Sequence, residues 1–378
     1  MIHYFDNCAT TKADEQVVEI LNKYHSEQYF NPSARSTYSL SITNDIATAR
    51  EELANLLGAQ NYSVYFTSGG TEANNIGIFG SLRAKRGNIV ASASEHSAVY
   101  NTLMELQSKG YEIRLANVFP DGHIDVSHFL SLVDSETVLA CFMHVNNETG
   151  AINDVKVINN SVKLINPQTI TFSDGMQAVG KIPVNVASLG VDIYTLSGHK
   201  FHASKGIGAL LVHKNVRLKP IVFGGGQEKG LRSGTEYVGG IVALAAALKI
   251  AVQNLPQNMQ NFARYKQIIR SSLAEIEGYR ENCVENCSPA IMSLAFQNIK
   301  GEVLLHMLEN FEIIVGTGSA CSSQNKVSRI AKAINLPKEY VEGMLRVSFS
   351  KYNTEEEVVL LAEKLRQSVL QLRKTMLG

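Results

Sequence analysis

The feature that most constrains this chain is an alternation. Short apolar runs at 63–67, 88–91, 111–115, 137–145, 169–173, 191–196 and 208–213 read as strands, separated by segments with helical spacing. In one such segment, 44–57, Ile46, Ala49, Leu53 and Leu56 share a face and Gly58 suits the C-terminal cap. Residues 97–109 and 126–133 read the same way. Strands alternating with helices imply a mostly parallel sheet covered on both faces. The character changes near Leu255-Pro256, where a long helical stretch from Glu236 is expected to end before another at 260–276. The remainder mixes strands (291–296, 345–349) with helices (302–308, 354–372). The expectation is an α/β fold: a large domain over 14–255 with a mostly parallel seven-stranded sheet between helices, and a smaller α+β domain from 1–13 and 256–378.

Several function classes are excluded early. Lys+Arg and Asp+Glu number 35 each, with no long run of like charge, which argues against nucleic-acid binding as the main task. The N-terminus, Met1-Ile2-His3-Tyr4-Phe5-Asp6-Asn7, lacks a basic segment followed by an apolar one, and the longest apolar run, 241–248, is too short to span a bilayer. A cytoplasmic protein with no membrane partner is expected. Five cysteines, an odd number, argue against a disulfide scaffold. Cys283 and Cys287 resemble half of a metal site, but no second pair or histidine cluster joins them, and no metal is expected.

In an open parallel sheet, ligands bind beyond the carboxyl ends of the strands. Four polar clusters follow strands here. Thr67-Ser68-Gly69-Gly70-Thr71-Glu72 joins a strand to a helix start, where free N–H groups suit an anion; read alone it is also an ordinary capped turn. No Walker or dinucleotide pattern is present. Asp174, in Ser173-Asp174-Gly175-Met176-Gln177, could keep the ring nitrogen of a bound group protonated or simply cap the next segment. Lys200, in Ser197-Gly198-His199-Lys200, would gain a nucleophilic neutral amine if desolvated; a solvated loop lysine is the plainer reading. The stretch 224–235 is glycine-dense and polar, as loops at sites and interfaces are.

Together these clusters resemble one family. Ser-Gly-His-Lys, the preceding Asp-x-x-Gln, Thr-Ser-Gly-Gly-Thr-Glu and Gly-Gly-Gly-Gln-Glu-x-Gly-x-Arg-Ser-Gly-Thr look like the cysteine desulfurases of the NifS/IscS kind. These belong to the class V aminotransferase group, enzymes of fold type I that use pyridoxal 5′-phosphate (PLP). The resemblance runs from Asp6-Asn7-Cys8-Ala9-Thr10-Thr11 to Leu345-Arg346-Val347-Ser348-Phe349-Ser350. It implies that Lys200 carries PLP as a Schiff base, that Asp174 pairs with the ring nitrogen, and that Gln177 and Asn147 contact the ring hydroxyl. It implies that His96 stacks on the ring and helps move protons, and that Gly70, Thr71, Ser197 and His199 cradle the phosphate. Thr235 matches a phosphate ligand donated by a partner subunit, which implies a homodimer with a shared active site. Arg346 and Asn31 match contacts to the substrate carboxylate. Cys321, in Gly318-Ser319-Ala320-Cys321-Ser322-Ser323, matches the catalytic nucleophile.

The implied reaction takes sulfur from L-cysteine, releases L-alanine and leaves a persulfide on Cys321. The sulfur would pass to an acceptor protein, an iron–sulfur scaffold or a tRNA-thiolating enzyme. The chain departs from the family pattern at Cys8, at Gly175-Met176, at Thr37 and Leu40, and after Cys321, where Gln324-Asn325-Lys326-Val327-Ser328 replaces Leu-Glu-Pro-Ser. A selenocysteine or cystine lyase is the nearest alternative, and a non-catalytic module of a sulfur-transfer assembly is one of another class. The Gly-Ser-Ala-Cys-Ser-Ser stretch speaks against the first, and the retained Lys200, Asp174, Cys321 and Arg346 against the second.

Overall fold

The apolar runs assemble into one sheet. In the computed structural model, which describes residues 2–82, 86–317 and 328–377, its spatial order is Tyr62–Thr67, Gly208–His213, Ile193–Ser197, Ile170–Asp174, Thr137–Cys141, Asn88–Ser92, Glu112–Ala116. Gly208–His213 is antiparallel to both neighbours, and the other pairings are parallel. Asn88–Ser92 and Ile193–Ser197 are buried at every position, as strands covered on both faces must be. Their side chains alternate between two cores. Ile89, Ala91, Ile193, Leu210 and Val212 enter one, and Val90, Tyr194, Leu196, Ala209 and Leu211 the other.

Two expected boundaries move. The apolar run 137–145 leaves the ladder at Cys141. Its backbone still donates from Phe142 to Phe172 O (3.1 Å) and from His144 to Asp174 O (2.9 Å) before turning toward Asn147. The helix expected from residue 44 starts about two turns earlier, as Thr37–Leu56, because Ser36 caps it by accepting from Ser39 N.

The expected break at Pro256 does not occur. Val238–Leu273 is one helix of 36 residues with Pro256 inside it. Proline removes one rung of the helical ladder and costs about 3 kcal/mol. Burial on either side offsets that: Leu244, Leu248 and Ala251 pack into the core of the large sheet, and Phe262, Tyr265, Ile269 and Leu273 into a second core. By length and composition alone this helix could cross a membrane, but most of its apolar window is buried inside the protein.

The second core surrounds a three-stranded antiparallel sheet in the order Met344–Ser348, Ile291–Phe296, Tyr279–Glu281. His3–Tyr4 pairs in parallel with Ile313–Ile314, which brings fully buried Phe5 into this core. Gly301–Glu309 and Glu355–Leu377 pack against one another beside it.

Candidate active site

Ile170–Asp174 and Ile193–Ser197 are parallel neighbours, so their carboxyl ends emerge side by side. Two antiparallel steps return Tyr62–Thr67 to the same direction, and the turn before helix Gly70–Ser81 opens at the same edge. Here lies a cavity of about 690 Å³. Its wall includes Gly70, Thr71, His96, Asn147, Asp174, Gln177, Ser197, His199, Lys200 and Arg346, ten of the residues singled out from sequence.

At one end of the cavity is an anion cradle. Helix Gly70–Ser81 has no side-chain cap, so its first N–H groups are free. Gly69 has φ +150°, which favours glycine, and Gly70 packs against the end of the Met176 side chain, where a Cβ would make Met176 shift. Ser197 Oγ is buried beside it with no partner. An unpaired buried hydroxyl is costly unless a ligand completes it. His199 contacts Thr10 Oγ1 at 3.1 Å, and burial, with Lys200, Lys205 and Lys181, holds its pKa down at about 4.

The floor is acidic and fully bonded. Asp174, 2% exposed, accepts from Asn74 Nδ2 (2.9 Å) and Met176 N (2.9 Å). Asn74 in turn accepts from Thr195 Oγ1 at 2.7 Å. The departure at Gly175-Met176 has a packing cause: a Cβ at Gly175 would overlap the ring of fully buried Tyr194.

Lys200 donates to the carbonyls of Cys8 (2.5 Å) and Ala9 (2.9 Å). Burial, reinforced by Lys181, lowers its pKa to about 8, so a usable fraction is the neutral amine near neutral pH. Gln177 donates to Cys8 O at 3.0 Å and accepts from buried Lys181. The exposed face of His96 opens into the cavity, and its Nδ1 accepts from Ala98 N at 3.1 Å, capping helix Ser97–Ser108. Desolvation lowers its pKa against the pull of Asp174, with Lys200 and Arg329 adding to the lowering, so the ring is neutral and can accept a proton.

Arg346 closes the other end. It donates to Asp6 Oδ1 (2.6 Å) and to Asn147 O (2.8 Å), while its buried Nε has no partner. A planar fork with a donor to spare suits a carboxylate.

Two expected residues are not in this wall. Asn31 and Thr235 are exposed and lie outside it; Asn31 caps its own turn by accepting from Ser33 N at 2.9 Å. Cys321 lies outside the described residues. Both described flanks of its segment do reach the site. Gly316 forms a backbone bridge with Arg346. On the far side, Ser328 donates to Glu148 Oε2 (3.2 Å), and Arg329 donates to the carbonyls of Ala93 and Glu95 and lies over the Tyr100 ring (4.3 Å). Reading the sequence missed Asn74, Lys181, Asp6 and Arg329. Asn74 alone carried a signal: it follows Gly70 by four residues, one helical turn, and so shares its face.

The profile of the class-V aminotransferases matches residues 3–361. The chain belongs to the class-V aminotransferase family. Members of this family are generally PLP-dependent. A cysteine desulfurase of Trichormus azollae is 36% identical over 375 residues, covering 98% of this chain and 93% of that one. A solved NifS-like protein superposes with a TM-score of 0.92 at 33% identity, over 98% of this chain and all of the other. SspA in complex with cysteine superposes with a TM-score of 0.80 at 28% identity, over 93% and 99% of the two chains.

Proposed function

We propose that this class-V enzyme is a cysteine desulfurase that carries PLP on Lys200 and moves the sulfur of L-cysteine onto Cys321. The observation that carries the reading is one cavity joining a lysine of lowered pKa, a buried carboxylate and an arginine fork to an uncapped helix start. Full-length relatives that are cysteine desulfurases, and a solved relative holding cysteine, support the same substrate.

The residues present fit PLP. The orphaned Ser197 hydroxyl and the glycine cradle suit its phosphate, Asp174 its ring nitrogen, and Gln177 and Asn147 its ring hydroxyl. Bound there, PLP supplies an electron sink for charge developing at the substrate Cα. The protein's own part is to hold and move groups around that carbon. Asp174, fixed by Asn74 and Met176 N, keeps a proton on the ring nitrogen. Arg346 holds the substrate carboxylate. Lys200 and neutral His96 take and return protons near Cα and Cβ. The Cys321 thiolate attacks the substrate sulfur, the Cβ–S bond breaks with its electron pair on carbon, and a proton completes alanine.

The reading extends to a homodimer in which Thr235 of a second copy completes the phosphate site and Asn31 adds a carboxylate contact. Exposed Tyr29, Tyr38 and Leu40 around Asn31, and Phe223 before the 224–235 loop, support a covered surface there. From Cys321 the sulfur passes to an acceptor protein.

Two variants test the assignment. Lys200→Ala abolishes the visible PLP absorbance. Cys321→Ser keeps that absorbance and loses sulfide release from cysteine by a factor of about 10³ or more, as loss of a nucleophile does. Normal sulfide release by Cys321→Ser would overturn the nucleophile assignment.

A further inference from the structure

Cys283 and Cys287 lie outside the active-site cavity, in the turn between strands Tyr279–Glu281 and Ile291–Phe296. Each thiol folds back on that turn: Cys283 Sγ approaches Glu285 O at 3.6 Å, and Cys287 Sγ approaches Val284 O at 3.3 Å. The two thiols, four residues apart in one turn, perturb each other's titration in opposite directions. Lys266, projecting from the long helix and only 4% exposed, places its ammonium 3.3 Å from Cys287 Sγ and anchors to Ser288 O at 2.7 Å. Cys283 is buried, whereas Cys287 keeps accessible surface. Among the described residues, no third metal-ligating side chain joins the pair.

We propose that Cys283 and Cys287 form a reactive dithiol that exchanges with low-molecular-weight disulfides, Cys287 attacking and Cys283 resolving. The asymmetry of the pair sets these roles. The neighbouring Cys283 thiol and the Lys266 ammonium, 3.3 Å from Cys287 Sγ, hold the Cys287 pKa below that of an ordinary thiol against burial and the more distant Glu281. Cys287, burial and Asp121 all push the Cys283 thiol up, so it keeps its proton.

The exchange balances without a further reactant. The Cys287 thiolate attacks one sulfur of the disulfide, whose S–S bond breaks and releases a thiolate that takes up a proton. Cys283 then loses its proton and attacks the Cys287 sulfur, closing an intrachain disulfide and expelling the second thiol. Two protein thiols are oxidised and one small disulfide is reduced. The turn is wired to the active site by backbone bonds from Ser288 N to Gly150 O (2.7 Å) and from Ile152 N to Asn286 O (2.9 Å), at the base of the turn bearing Asn147 and Glu148.

The experiment uses full-length holoenzyme equilibrated with glutathione disulfide, blocked with an alkylating agent and digested with trypsin. Both cysteines fall in the fragment spanning 281–300. The expected result is that fragment lighter by two hydrogens and resistant to alkylation. Cys283→Ser accumulates a glutathione mixed disulfide on Cys287, while Cys287→Ser leaves Cys283 unmodified. In the Cys283→Ser background, Lys266→Met slows adduct formation about tenfold at neutral pH, and Lys266→Arg restores it. A fragment that remains dithiol in the wild-type protein, or an adduct on Cys283 in Cys287→Ser that forms as fast as that on Cys287, overturns the proposal.

Discussion

Asp174 and Arg346 are both charged and buried, and they line one cavity, yet they are held in opposite ways. Asp174 ends a strand inside the seven-stranded sheet. Its partners are local to that sheet: Asn74 is on the helix packed against it, Met176 in the turn two residues on, and Thr195 behind them on the next strand, and both its oxygens are bonded. Arg346 is gripped by segments far apart in the chain, at Asp6, Asn147 and Gly316, and one of its buried donors is unpaired. A buried unpaired donor costs about 1–3 kcal/mol, which an arriving carboxylate would recover. One end of the site is therefore fully bonded as it stands, and the other keeps a donor to spare.

That contrast can be broken by substitution. The largest effect belongs to the finished end: Asp174→Asn keeps the shape and loses the charge, and kcat should fall by about 10²–10³ while the KM for cysteine stays within severalfold. A change confined to KM in steady-state assays would refute the division. At the unfinished end, Arg346→Lys removes the fork and should raise KM by about 10–100-fold with a smaller change in kcat. Asp6→Asn leaves the fork but loosens it, and its KM should rise by roughly one tenth as much.

The smallest effect is on stability. Glu95 lies fully buried, with one oxygen accepting from Met143 N (2.7 Å) and the other unpartnered. Burial, and then the charge of Asp174, push its pKa up to about 8. Between about 4.5 and 8 the folded protein holds a proton that the unfolded chain has lost, so stability falls as pH rises through that window and is unaffected below it. Glu95→Gln should flatten this slope and gain roughly 1–3 kcal/mol near pH 8 in urea titrations. An unchanged slope would remove Glu95 from the electrostatics of the floor.

The sheet was legible because its strands are short, apolar and evenly interrupted; Gly208–His213 and Ile291–Phe296 begin and end where the sequence places them. The proline misled because a local rule about one hydrogen bond competes with burial spread over many residues, and burial is visible only in three dimensions. The early start of Thr37–Leu56 was hidden by Ser, Thr and Tyr, which signal helix weakly. In the site, residues that line the cavity stood out as motifs, whereas Lys181 gave no such sign and Asp6, though inside the Asp6–Thr11 motif, gave no sign of its pairing with Arg346. Their roles come from contacts across 340 residues for Asp6 with Arg346, and from an unusual buried lysine against Gln177.

The helix Val238–Leu273 carries a consequence for how the molecule melts. One rigid rod contributes side chains to two cores, and neither core keeps its lining if the rod is lost. Detaching the C-terminal third would strip Phe262, Tyr265, Ile269 and Leu273 of their cover and leave the helix to fray back toward Leu244, Leu248 and Ala251 in the other core. Loss of order on one side therefore propagates to the other through a shared backbone, and heat or denaturant should unfold both cores in a single cooperative transition.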